Sequence, residues 1–151
     1  MAMTDAQAAD AIRAHHSEMQ TELRSRVDRL LDTVRTERPY ADAHRAVLDY
    51  LEGELLPHAH AEEGALYPAG DVGAAALLVR SMRDEHVNLV AHVTQLRAAS
   101  DAVSAAGLAA ATLALFESHL HKENDLLVPA LVDDPNVSIA ELLAGMHELI
   151  G

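Results

Sequence analysis

Cysteine is absent from this chain, and with it go disulfides, thiolate catalysis, iron–sulfur ligation and Cys-type zinc sites. Any metal chemistry must use nitrogen and oxygen ligands. Aromatic residues make up only 3%, with seven Gly and five Pro, a composition that favours helices packing on helices over a sheet. Positive charge is scarce too: eleven Lys plus Arg stand against 24 Asp plus Glu, for a formal charge of -13. Such a field repels nucleic-acid phosphates and anionic headgroups, so no nucleic acid and no membrane is expected as a partner. No uninterrupted run of about 18 apolar residues is present. The start MAMTDAQAAD carries acids where a secretory signal would be basic and then apolar, and a cytoplasmic location is expected. At 151 residues the chain is about one domain's worth, so residues 1–151 are read as a single domain.

What is present in excess is histidine, ten residues, set in a strongly helical pattern. Thr4 and Asp5 open a first amphipathic stretch, with Ile12, Met19, Leu23, Val27, Leu30, Leu31 and Val34 at three- and four-residue spacing, closing near Pro39. A second helix is expected from about Asp42 to Tyr67, kinked by Pro57 and stopped by Pro68 and Gly70. A third runs from near Gly73 to about Ala102, and a fourth from near Ser104 to Asp134. Ser138 to Glu141 reads as a capping box opening a short fifth helix. Long helices joined by short links predict an all-α fold: an antiparallel up-down-up-down four-helix bundle with a short C-terminal fifth helix. An acidic bundle that buries its own core is expected to be a monomer.

The chemistry lies in a repeat. Residues 58–68 read HAHAEEGALYP and residues 119–129 read HLHKENDLLVP, a shared HxHxExxxLxP pattern recurring 61 positions on. A weaker echo, IRAHHSEM at 12–19 and MRDEHVNL at 82–89, aligns His16 with His86. The chain therefore reads as two helix pairs related by a pseudo-twofold. His58 with Glu62, and His119 with Glu123, are i,i+4 pairs about 6 Å apart along one helix face, a spacing that chelates or bridges metal. Counting residues from the links places His58, His86 and His119 with Glu123 at matching heights, with His16 in reach. His16, His58, Glu62, His86, His119 and Glu123 form a four-imidazole, two-carboxylate set. Hard carboxylates with imidazoles suit a pair of iron or manganese ions.

These segments resemble the HHE cation-binding family of haemerythrin-like proteins over roughly residues 10–132. The resemblance implies two non-haem iron ions, oxo- or hydroxo-bridged, with Glu62 and Glu123 bridging and His16, His58, His86 and His119 as terminal ligands. It also implies a small-molecule ligand such as oxygen, peroxide or nitric oxide, with peroxidase- or catalase-like turnover as one outcome. Iron storage or delivery, or iron–sulfur repair without turnover, is the alternative. Oxygen carriers of the family have a further His one turn before the helix-three ligand. Here that position is Met82, which implies an open or substituted coordination site.

The remaining candidates are weaker. His60 and His121 fall about 200° round the helix from the ligands and are expected to face outward. His15 competes with His16 within the register uncertainty of one residue, and Glu54 lies one turn before His58, where it could fill the vacancy. His147 sits in a fifth helix that could fold over the bundle as a lid. His44 and His92 lack a carboxylate in register. Tyr40, Tyr50 and Tyr67 are read first as core or helix-end residues, with a Tyr ligand the minority reading.

Overall fold

The computed structural model describes residues 1–150, and among them every regular element is helical. Helix α1 is Asp5–Arg35, and its start is fixed as the sequence suggests. The Thr4 side chain accepts from the Gln7 backbone N–H, while Gln7 accepts from the Thr4 N–H at 2.9 Å. Helix α2 spans residues 41–70, α3 is Ala76–Ala98 after a 3₁₀ turn at Gly73–Ala75, α4 spans 102–132, and α5 is Ile139–Ile150. Gly73 takes φ 61°, the left-handed conformation that glycine adopts without penalty at the sharp entry to α3. Asp101 caps α4 by accepting from Ser104 N–H at 2.8 Å. The expected capping box of α5 is built differently. Ser138 Oγ accepts from Glu141 N–H, but Asp5 of α1 accepts from Ser138 Oγ and Ala140 N–H, at 3.1 and 3.0 Å.

Three of the five prolines lie inside helices rather than at their ends. Pro57, Pro68 and Pro129 each follow a π-helical segment by two residues: Leu51–Leu55, Glu62–Leu66 and Glu123–Leu127. A proline within a helix lacks its N–H and collides with the carbonyl four residues back, and widening the preceding turn relieves both problems. The helix then continues, to Gly70 after Pro68 and to Val132 after Pro129. This corrects the expectation that Pro68 stops α2 and turns the expected Pro57 kink into a π turn.

Helix α1 packs on α2 and α4, α3 on α4, and α5 folds back across α1 and α2. Buried apolar side chains form two clusters, one around Leu23, Leu51, Leu89 and Phe116, the other around Ile12, Leu66, Met82 and Leu127. Between them in each of the four long helices lies a buried His or a His and Glu together. Helix α4 is, by length and composition, apolar enough to cross a membrane, although the sequence has no uninterrupted apolar run. Here it is the helix that turns His119 and Glu123 into the bundle.

Candidate metal centre

Each of the six residues singled out in the sequence is buried: His16, Glu123, Glu62, His119, His86 and His58 are 0, 0, 2, 2, 4 and 6% exposed. One donor atom from each of His16, His58, Glu62 and Glu123 lies within 4.8 Å of the others, and the same holds for Glu62, His86 and His119. Glu62 belongs to both groups. Glu123 spans them as well, with Oε1 3.2 Å from His16 Nε2 and Oε2 3.0 Å from His119 Nε2. His16 is the inward residue of its pair; His15 is exposed.

Hydrogen bonds outside the cluster fix how the imidazoles present themselves. His16 Nδ1 donates to Asn124 Oδ1 at 2.7 Å, His86 Nδ1 to Glu63 Oε1 at 2.8 Å, and His119 Nδ1 to Glu85 Oε2 at 3.2 Å. Glu85 is itself paired with Lys122. With the proton on Nδ1, each Nε2 offers a lone pair inward, the arrangement that outer carboxylates and amides enforce on ligating histidines. Inside, His16 and His58 meet Nε2 to Nε2 at 3.2 Å, and His86 and His119 at 3.1 Å. Lone pairs and carboxylates at such separations repel unless cations or protons sit among them. Glu62 Oε2 and Glu123 Oε1 are also buried without any hydrogen bond. The six residues, in two overlapping groups that share Glu62, could therefore hold metal.

In the metal-free state protons take that role. Burial alone would lower His16 and His119, but the adjoining Glu123 carboxylate, with Glu85 also acting on His119, lifts them to about 9 and about 10. Burial, reinforced by His16, lowers His58 to about 4. Burial and the neighbouring Glu123 charge raise Glu62 well above the usual carboxyl range. Burial would raise Glu123 too, but the adjoining Glu62, His119 and His16 outweigh it and hold Glu123 well below that range.

One residue at the centre was read otherwise from sequence. Tyr67 is fully buried, and its hydroxyl lies 3.1 Å from His86 Nε2, 3.0 Å from His119 Nε2 and 3.1 Å from Glu123 Oε2, to which it donates. On an α-helix Tyr67 would fall about 140° from Glu62. The π turn Glu62–Leu66 brings Tyr67 N–H to the Glu62 carbonyl, five residues back, and so puts both side chains on one face. Tyr67 does pack in the apolar core, as expected, but it does not end the helix, and its hydroxyl reaches the centre. Its burial and the Glu62 and Glu123 charges push the phenol pKa upward.

The other candidates lie elsewhere. His60 is exposed, and His121 pairs at the surface with Asp125 at 2.7 Å. His44 donates to the Leu96 carbonyl and His92 to that of Asn88, both at 2.7 Å. Glu54 and His147 are exposed and outside the donor set, so Tyr67, rather than Glu54, stands beside the histidine pair of α3 and α4. Met82 is buried in the apolar cluster. Glu63 and Asn124 each directly follow a ligand, Glu62 and Glu123, in the repeat, and each acts on a histidine of another helix. Their matched positions in the repeat were the signal.

A helical bundle with a buried four-His, two-carboxylate cluster that could hold metal is thus the class defined by fold and site. The family model described as the Hemerythrin HHE cation binding domain matches residues 7–132, and the chain belongs to that family. No curated protein and no solved structure matches it.

Proposed function

We propose that the protein is a non-haem di-iron protein whose centre binds or reacts with a small oxidant: oxygen, peroxide or nitric oxide. The observation that carries this reading is the sharing of Glu62 and Glu123 between two histidine pairs, His16 with His58 and His86 with His119. An antiparallel up-down-up-down arrangement is supported by the order of the two apolar clusters along the chain. The Ile12 and Met82 cluster precedes the polar layer in α1 and α3 and follows it in α2 and α4.

Bound iron would supply Lewis acidity and electrons in a layer flanked by the two apolar clusters. Around it, Asn124, Glu63 and Glu85 hold three imidazoles in the ligating tautomer, and the Tyr67 hydroxyl lies 3.1 and 3.0 Å from His86 and His119 Nε2. Tyr67 is the substitute that the Met82 position calls for, and a phenolate donor favours the ferric state over reversible oxygen carriage. Storage or delivery needs a centre that releases its metal, whereas these donors are at most 6% exposed.

Metal analysis of protein from iron-replete cells tests the proposal. About two irons per chain, retained against a chelator, is the expected result. One zinc, or no uptake after reconstitution, would overturn it, and iron lost readily to the chelator would favour storage or delivery.

A further inference from the structure

The pseudo-twofold of the sequence extends to the residues around the centre, and there it is broken in one direction. Glu63 matches Asn124 and Tyr67 matches Val128, 61 positions on, while Glu85 matches His15 in the alignment of residues 12–19 with 82–89. Glu63 and Asn124 act at equivalent places. Glu63 of α2 accepts from His86 Nδ1 of α3 at 2.8 Å, and Asn124 of α4 accepts from His16 Nδ1 of α1 at 2.7 Å. Glu85 of α3 likewise accepts from His119 Nδ1 of α4 at 3.2 Å. Its counterpart His15 has its ring centroid 5.1 Å from that of His58, whose Nδ1 is buried without a partner among the described residues. The Tyr67 hydroxyl stands at His86 and His119 Nε2, whereas Val128 contributes only a buried apolar side chain.

Two carboxylates and a phenol thus back the histidine pair of α3 and α4, and a single neutral amide backs that of α1 and α2. A carboxylate that takes the N–H of an imidazole makes the other ring nitrogen a stronger donor. Negative charge at this range also favours the more highly charged of two cations. Basic side chains do not cancel the difference. Lys122 pairs with Glu85, and the Arg83 guanidinium lies 5.7 Å from the Tyr67 ring centroid. Glu63, however, pairs with no Lys or Arg among the described residues. Arg83 also has a counterpart on the other half, Arg13, which donates to the Asn124 backbone carbonyl.

We infer that the two positions of the centre are unequal: the one at His86 and His119 selects the more highly charged ion, and the one at His16 and His58 a divalent ion. Glu63 and Asn124 act through His86 and His16 as positioning residues that set the difference. The inference rests on the metal reading proposed above.

The test is a stepwise titration of the oxidised, iron-loaded protein with dithionite, followed by potential, Mössbauer and visible spectra. The first electron should leave one ferric and one ferrous ion, with the phenolate-to-ferric band at full intensity, because the ferric ion that remains is the one beside Tyr67. The second electron should abolish the band. Glu63→Gln keeps the shape, removes the charge and should raise the potential of the second step alone. Asn124→Asp adds the charge on the other half and should lower that of the first step alone. Residues with a purely structural role would not move separate steps in opposite directions. A band halved by the first electron means equal positions, and one lost to it means the reverse order. Either overturns the inference, as do variants that leave both potentials unmoved. Iron is counted on the same samples. Any of those results with two irons bound overturns the inequality alone, whereas protein that takes up no iron overturns the metal reading and this inference with it.

Discussion

At the scale of single residues, direction decides consequence. His119 and His121 are two positions apart, one 2% exposed inside the centre and the other paired with Asp125 at the surface. His119→Ala takes away the imidazole between Glu123 and Glu85, leaving Glu123 to His16 and Tyr67 and Glu85 to Lys122, at a cost of about 1–3 kcal/mol. It should abolish metal uptake and lower the denaturation midpoint. His121→Ala removes an exposed pair and should change stability by about 0.5 kcal/mol at most, with metal content intact. Iron lost in His121→Ala but kept in His119→Ala would reverse the face assignment. Tyr67→Phe keeps the ring and deletes only the hydroxyl. The expected outcome is protein with two irons that lacks a phenolate-to-ferric visible band and binds azide at the freed position. A visible spectrum identical to that of the parent protein would remove Tyr67 from the metal.

At the scale of elements, the π turns determine what could be read from the sequence. Periodicity at 3.6 residues per turn located the long helices and put His58 with Glu62, and His119 with Glu123, on inward faces, because each pair lies wholly before or at the start of its π segment. Tyr67 lies after one, so the same arithmetic turned it away. The prolines were legible as disturbances but not as π junctions, since sequence alone does not say whether a helix breaks or widens. Glu85, Glu63 and Asn124 act across helix interfaces, where spacing along one helix carries no information. The packing of α2 on its neighbours yields a further test. A Cβ at Gly70 would meet Leu127 Cδ1 and Val79 Cγ2, both at 2.9 Å on buried side chains, whereas one at Gly53 meets nothing within 4 Å. Gly70→Ala should therefore destabilise by about 1–3 kcal/mol. Gly53→Ala should stabilise by about 0.4–1 kcal/mol through the entropy of the unfolded chain. Urea denaturation of the two variants decides this, and equal effects would mean that α2 does not pack on α3 and α4 as described.

At the scale of the whole molecule, the centre ties stability to pH, and metal changes the tie. In the metal-free protein His16 and His119 are raised from 6.5 to about 9 and about 10. Their contribution to stability is fully present below pH 6.5 and is lost as pH rises through those values. His58 is lowered from 6.5 to about 4, so its contribution is present above pH 6.5 and is lost as pH falls through 4. The metal-free protein should thus be most stable near pH 6.5 and weaken on both sides. Metal must displace the protons of His16 and His119 before it can occupy the layer, so uptake at neutral pH should release protons and strengthen as pH rises. Once loaded, the cations do what those protons did, and the alkaline loss should vanish. Melting temperatures measured from pH 5 to 10 should therefore fall above neutrality for the metal-free protein and stay level for the loaded one. Parallel curves, with no proton release on loading, would show that His16 and His119 are neutral in the empty centre and that the layer of facing lone pairs is relieved by some other means.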